Sequence, residues 1–436
     1  MRSGLPKVLH PLAGKSMLAH VLDAVAEINP SRVGVVIAPG MDDVQAEALR
    51  VCEQCHIAIQ DSEQVGHGTA AAVKAAKDIY DGADGPVLVL FGDTPLLTPT
   101  TLQHMAGSLA AENQPAVSVL GMRPRDPAEY GRLVLGSKLE LLEIVEFKDA
   151  SPQQKDIGLC NSGVMAIRGD RLPELLSKVS NKNAKGEYYL TDLVKIARDE
   201  GEHCTVYEAN EAELLGVNSR VQQAQAEAEL QSRYRRAAME AGVTLVAPET
   251  VFFSHDTQLA ADVLVYPHVV FGPGVVVDAG VEIRAFSHLE GAHVRNDAVV
   301  GPYARLRPGA DIGQDARIGN FVEIKKSTLA RGAKVSHLSY IGDAEVGEES
   351  NIGAGTITCN YDGFNKHLTR IGKGAFIGSN TALVAPVSVG DGAIVGAGST
   401  ITEDIESDAL AFTRPQQSQK PGWAKKFREL KQKVKA

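Results

Sequence analysis

Few of the side chains able to do chemistry in this 436-residue chain sit in a spacing that identifies their task. Cys52-x-x-Cys55 has the spacing of a zinc half-site or a redox disulfide. Tetrahedral zinc needs four ligands, and no second cysteine pair or nearby His in metal spacing accompanies it. Five cysteines, an odd number over a long chain, fit reduced thiols better than a disulfide framework. Asp93 follows the apolar run 87–91, at a strand end where ligands bind in open α/β sheets. An Asp there is also a common turn residue. His288 and His293 stand five residues apart, an offset open to a metal but equally to two corner positions. The C-terminal stretch sets Lys425, Lys426, Arg428, Lys431, Lys433 and Lys435 against Glu429 alone. It reads as a solvated basic tail or as a helper for anionic ligands.

Elements must position these groups, and length bounds them: 436 residues exceed one ordinary core, so two domains are expected. With 44% hydrophobic and 22% charged residues the chain is globular. A net charge of −10 argues against nucleic-acid partners, which need a basic surface. No apolar run approaches the roughly 20 residues that cross a bilayer. The first seven residues lack a signal-peptide core, so no membrane partner and a cytoplasmic location are expected.

Residues 1–218 read as alternating strands and helices. The runs 33–38 and 87–91 suit strands buried on both faces, and helical patterns follow at 42–52 and 69–79. That alternation predicts a mostly parallel sheet with helices on both sides. Residues 219–241 hold no Pro or Gly and are rich in Ala, Gln, Glu and Arg, predicting one exposed linking helix about 35 Å long. Beyond it, residues 242–436 change period. Val263, Val269, Val275 and Val281 are six apart; so are Val294, Val300, Leu306, Ile312, Ile318 and Ile324. Val335–Ile341, Val346–Ile352 and the series from Ile371 through Ile377, Leu383, Val389 and Val395 to Ile401 repeat the spacing. Six fits neither a lone helix nor a meander. It predicts a solenoid in which each short strand places one aliphatic side chain inward and Gly or Asp turns the corner. Interruptions at 327–334 and 358–370 are expected to leave the solenoid as loops, where function collects.

The motifs within that frame are more specific. Asn351-Ile352-Gly353-Ala354-Gly355-Thr356-Ile357-Thr358-Cys359-Asn360-Tyr361-Asp362-Gly363 resembles a signature of the bacterial bifunctional N-acetylglucosamine-1-phosphate uridyltransferase/glucosamine-1-phosphate acetyltransferase family. So do Ala304-Arg305-Leu306-Arg307-Pro308-Gly309, Gly319-Asn320-Phe321-Val322-Glu323-Ile324-Lys325-Lys326 and His337-Leu338-Ser339-Tyr340. In the first half, Leu5-Pro6-Lys7-Val8-Leu9-His10, Phe91-Gly92-Asp93 and Gly186-Glu187-Tyr188-Tyr189-Leu190-Thr191-Asp192 resemble it too.

The resemblance covers nearly the whole chain. It implies a Rossmann-like α/β nucleotidyltransferase domain and then a left-handed parallel β-helix, assembled as a homotrimer with acetyltransferase sites between subunits. It implies acetyl transfer from acetyl-CoA to glucosamine 1-phosphate, then uridylyl transfer from UTP with release of diphosphate. By resemblance, His337 is the general base, a task that suits an imidazole, and Glu323 orients it. Arg307 and Lys325 hold the sugar phosphate; Tyr340, Asn351 and Lys366 contact the amino sugar. Ala354, Asn360, Tyr361, Ser379, Ala397 and Arg414 line the acetyl-CoA site, where small residues let the pantetheine arm approach. Lys7 binds phosphate, and Asp93 with Asn218 ligates Mg2+. Phe91, Gly92, Gly131, Glu146 and Asn161 match sugar-nucleotide contacts, while Gln60, Gly68 and Thr69 match uracil contacts if 60–70 carries an insertion, with Gly66 and His67 as the alternative to Gly68 and Thr69.

One departure stands out. The family's first domain opens with a strand and a Gly-rich loop, Leu-Ala-Ala-Gly-x-Gly-Thr-Arg, directly before the residue matched by Met1. A misassigned start codon is the expected explanation, and an enzyme retaining only acetyl transfer is the alternative. Two other classes share parts of the pattern: a γ-class carbonic anhydrase, through His288 and His293, and a regulatory subunit like the eukaryotic nucleotide-exchange factors. The intact His337, Arg307 and Lys325 set argues against the regulatory subunit.

Overall fold

Short β-branched runs separated by helical stretches build the first unit, residues 1–233. The computed structural model describes residues 1–435 apart from Glu112, Ala128 and Ala184, with side chains described as far as Gln432. Helix Met17–Glu27 begins at Ser16, whose side chain accepts the Ala19 N–H. Strands Gly34–Ile37 and His56–Ile59 pair in parallel, and helix Asp42–Val51 connects them. The helical run expected over 69–79 breaks at Ala76 into Thr69–Ala75 and Lys77–Tyr80.

The principal sheet corrects the mostly parallel expectation. Strand Cys160–Arg168 runs antiparallel to Pro86–Val89, Val117–Met122 and Arg132–Leu135. Arg132–Leu135 is also antiparallel to Leu141–Val145, and among the described residues of this sheet only Cys204–Glu208 joins Val117–Met122 in parallel. An apolar run buried on both faces looks the same whichever way its neighbour points, so composition could not report direction. The core beneath this sheet includes Val117, Val119, Met165, Ile167, Leu172 and Leu193, all buried.

Helix Arg220–Glu240 bears out the helical reading of 219–241 but is less exposed than expected. Ala226, Leu230 and Gln231 are buried, and Glu227 accepts the Ala13 N–H at 2.8 Å. The division between units falls within it, with Tyr234 and Ala238 packing against the core of the second unit.

In that second unit, residues 234–436, parallel register defines the coil. Leu264 pairs with Glu282, which pairs with Val299; Arg317, Lys334, Asn351, Phe376, Ile394 and Leu410 continue the same face. One turn is therefore about three six-residue repeats, with two further series of paired strands forming the other faces. All the six-spaced aliphatic residues are buried. The arrangement of each repeat differs from expectation in one respect. Val263 and Val265, or Val275 and Val277, both point inward, the first preceding the two-residue strand and the second lying in it. A continuous aliphatic column results, each side chain contributing roughly 1.5–3 kcal/mol by burial.

The two interruptions behave differently. Residues 327–334 are not an ejected loop. Strand Glu323–Leu329 runs through the position, and the turn is one residue short, since Arg317 pairs with Lys334. Residues 358–370 do leave the solenoid, because Asn351 pairs with Phe376, seven residues later than an eighteen-residue turn would place it.

Candidate active site

His337 ends strand Lys334–His337 at a corner of the solenoid. Each neighbouring turn supplies the residue in the same corner position, and backbone hydrogen bonds identify them. The N–H of Leu338 donates to the Asn320 carbonyl, that of Gly355 to His337, that of Asn380 to Ala354, and that of Gly398 to Ser379. The corner column is thus Asn320, His337, Ala354, Ser379, Ala397. Four of the predicted site residues fall in one line although irregular intervals separate them in sequence. Past the histidine every side chain in the line is small. Arg414 borders the end of the line, donating from Nη1 to the Ala397 carbonyl at 2.7 Å.

The face that follows the corner carries the cations. Arg305, Glu323 and Tyr340 are successive rungs of one ladder. Arg307 and Lys325 are successive rungs two residues further along, the Arg307 N–H donating to the Ile324 carbonyl. The Arg307 guanidinium donates to Glu323 Oε1 at 2.8 Å, and Arg305 lies 3.6 Å from its other oxygen. Lys366 meets Lys325, and that second ammonium, with Arg307 adding to it, pulls Lys325 below the usual lysine range. Like charges gathered this way, Arg307 and Lys325 half-buried and Lys366 exposed, suit a multiply charged anion such as a phosphate ester. Asn351 stands on a different face, paired in register with Lys334 and Phe376.

The resemblance assigns the orienting role to Glu323. Its described partners are arginines, whereas Nδ1 of His337 lies 2.8 Å from Oδ1 of Asn320. The signal that could have found Asn320 is turn length: it lies one turn before His337, and the two are register partners.

The loop that leaves the solenoid is closed on itself. Tyr361 and Lys366 form an antiparallel bridge, and the His367 N–H donates to the Asn360 carbonyl. Asp362 accepts from the N–H groups of Phe364 and Asn365 and from His367, which holds its carboxyl down at about 2. Asn360 is buried against Asp343, and Tyr361 bonds the Gly363 carbonyl. Phe364 at the tip is 91% exposed.

The first unit gathers a second constellation. The Val217 N–H donates to the Asp93 carbonyl, which brings Asn218 beside Asp93. Nζ of Lys7 reaches both, at 2.5 Å from Asp93 Oδ2 and 2.8 Å from Asn218 Oδ1. Two oxygen donors already converge on one cation. Phe91 closes the turn before them, its carbonyl accepting the Thr94 N–H, and Gly92 packs against Val8. Gly68 has φ +107°, and a Cβ there would stand 2.5 Å from the Tyr188 carbonyl oxygen, so the chain needs glycine at this contact. Thr69 opens the following helix and its hydroxyl accepts the Leu190 N–H. The Gln60 amide donates to the carbonyls of Gly66 and Gly68. Asn161 bonds the Gly131 carbonyl through its N–H, and Glu146 accepts from Thr191. The Tyr188 segment is a partner that the sequence motif alone did not assign to this loop.

Cys52 and Cys55 carry free thiols, and the described residues include no cluster of three or more metal-binding side chains. Near the C-terminus, helix Trp423–Lys435 has an exposed face on which Trp423 stacks with Phe427. The side chains of Lys433 and Lys435 lie outside the described residues.

Comparison with known proteins agrees with both halves. Residues 1–150 match the MobA-like NTP transferase domain, and residues 291–326 and 368–403 match the bacterial transferase hexapeptide family of six repeats. A bifunctional protein GlmU of Paramagnetospirillum magneticum is 54% identical over 98% of this chain and 94% of its own length. That of Azorhizobium caulinodans is 55% identical over 100% and 96%, and that of Zymomonas mobilis 49% over 99% and 96%.

Proposed function

Because the chain belongs to the family of bifunctional GlmU proteins, we propose that its two constellations divide the two transfers between them. The chain is a bifunctional acetyltransferase and uridyltransferase of UDP-N-acetylglucosamine synthesis. The observation carrying the acetyltransferase assignment is the corner column, with His337 between a cationic face and a line of small residues. Glucosamine 1-phosphate places its phosphate on Arg307, Lys325 and Lys366, with Tyr340 and Asn351 contacting the sugar. Nε2 of His337 takes a proton from the ammonium, the freed amine attacks the thioester carbonyl, and the C–N bond forms as the C–S bond breaks, the second amine proton passing to the departing coenzyme A thiolate. The pantetheine arm runs along Ala354, Ser379 and Ala397, with Asn360 and Tyr361 beside it and Arg414 at its phosphate end. On this reading Ala397→Phe blocks that path. We expect the KM for acetyl-CoA to rise at least about tenfold, equivalent to 1.4 kcal/mol, with the KM for glucosamine 1-phosphate unchanged. Equal rises in both would count against that path.

In the first unit, a phosphate oxygen of N-acetylglucosamine 1-phosphate attacks the α-phosphorus of UTP and diphosphate departs. The oxygen donors of Asp93 and Asn218 suit Mg2+, a hard cation that takes one or two carboxylates and completes its shell with phosphates. Bound there, the ion would neutralise the crowded phosphates. Lys7 supplies a second positive charge, Gln60, Gly68 and Thr69 hold the uracil, and Gly131, Glu146 and Asn161 hold the sugar. Separate assays of thiol release from acetyl-CoA and diphosphate release from UTP test the division. A chain giving no thiol release would overturn the acetyltransferase assignment.

The hexapeptide repeats suggest an oligomer, and we propose a homotrimer with this corner between subunits. His268, Phe286, Tyr303 and Phe321 stack along it with ring centroids 4.8–5.3 Å apart. Each has a positive φ, as does Leu338 beside His337. Such backbone costs roughly 1–2 kcal/mol per residue, while a ring stack returns about 0.5–1.5 kcal/mol. Stacking alone leaves the ladder without a net benefit, and Phe286, Tyr303, Phe321 and Leu338 are exposed. Covering them with another copy supplies the missing burial. Tyr303→Lys should shift sedimentation toward monomer and lower acetyl transfer with uridylyl transfer retained; a stable trimer would exclude the ladder from the interface. No helix among the described residues is long and apolar enough to cross a membrane, and the five free thiols support a cytoplasmic location.

A further inference from the structure

We infer that Asn320 is a positioning residue for the acetyl transfer, selecting the reactive tautomer of His337; this rests on the assignment of His337 as general base. Oδ1 of Asn320 lies 2.8 Å from Nδ1 of His337. An amide oxygen can only accept, so the contact requires the proton on Nδ1 and leaves the lone pair on Nε2. An imidazole that is to remove a proton from an ammonium needs that free lone pair. The same contact fixes the ring plane, because Asn320 and His337 are register partners on adjacent turns.

The backbone is built for this approach. A Cβ on Gly319 would stand 1.9 Å from the Ser336 carbonyl oxygen, so only glycine lets the two turns close where Asn320 meets His337. Glu323, the nearby carboxylate expected to take this role, is engaged by Arg305 and Arg307. A neutral partner has a distinct consequence. A carboxylate at Nδ1 stabilises the imidazolium and holds the base protonated to higher pH, whereas an amide orients the ring without adding charge.

The test compares Asn320→Ala, Asn320→Asp and His337→Ala in the full chain, with uridylyl transfer and sedimentation as controls for folding. Asn320→Ala should lower the kcat of acetyl transfer about 10–100-fold, the scale on which losing the hydrogen-bond partner of a metal-binding histidine acts, with both KM values unchanged. Asn320→Asp should retain more of the rate than Asn320→Ala while moving the acid limb of kcat/KM upward by about one pH unit. Wild-type kcat and an unmoved pH profile in both Asn320 variants, with His337→Ala inactive, would overturn the positioning role and leave the base assignment standing. An active His337→Ala would overturn the base assignment itself.

Discussion

Replacing His337 by alanine is expected to lower acetyl transfer by about 10³-fold in kcat, near the middle of the range for removing a general base. Uridylyl transfer should remain at the parent rate. The asymmetry follows from where the side chain sits. His337 is exposed at a solenoid corner, and its described side-chain partner is Asn320. Truncation therefore opens no core cavity, and the aliphatic column beneath it, including Val335 and Ile341, remains buried. Any loss then belongs to chemistry and not to folding. The KM for glucosamine 1-phosphate should hold, since Arg307 and Lys325 are untouched. A rate within tenfold of the parent would remove His337 from the mechanism. Simultaneous loss of uridylyl transfer would mean the variant had unfolded, which His337→Gln would then separate from loss of the base.

The solenoid was legible because its signal is redundant. Each six-residue repeat restates one inward aliphatic position, and every member of the series is buried. The corner column was not legible by the same means. Its members are separated by one turn each, but the turns run 17, 17, 25 and 18 residues from Asn320 to Ala397. No fixed period exposes such a line. Only strand register shows that His337, Ala354, Ser379 and Ala397 share it, and motif resemblance identified three of the four small or catalytic positions as acetyl-CoA contacts without saying that they align. Asn320 escaped because a charged neighbour, Glu323, was the more obvious partner for an imidazole. Sheet direction in the first unit failed for a different reason. Strand Cys160–Arg168 is antiparallel to three neighbours, and double-sided burial erases the alternation that would betray it.

The second large effect is expected at Asp93, where asparagine should reduce uridylyl transfer by about 10²–10³-fold, the scale of losing one preorganised electrostatic contact, with acetyl transfer unchanged. Asparagine keeps the size and one oxygen of the side chain but removes its charge. The turn should survive, because it is held by the Asp93 carbonyl accepting from Val217 and by the Phe91 carbonyl accepting from Thr94. What changes is the balance around Lys7, whose ammonium is shared by Asp93 and Asn218. If Asp93 serves the metal, the Mg2+ concentration for half-maximal rate must rise in Asp93→Asn, and raising Mg2+ must recover part of the lost activity. Lys7→Met tests the other partner. It should also slow uridylyl transfer, yet leave the Mg2+ requirement unshifted, since a lysine contributes charge to phosphate and not a ligand to the ion. An unchanged Mg2+ requirement in Asp93→Asn would assign that carboxylate to holding Lys7 alone, and the metal would have to be sought elsewhere in the first unit.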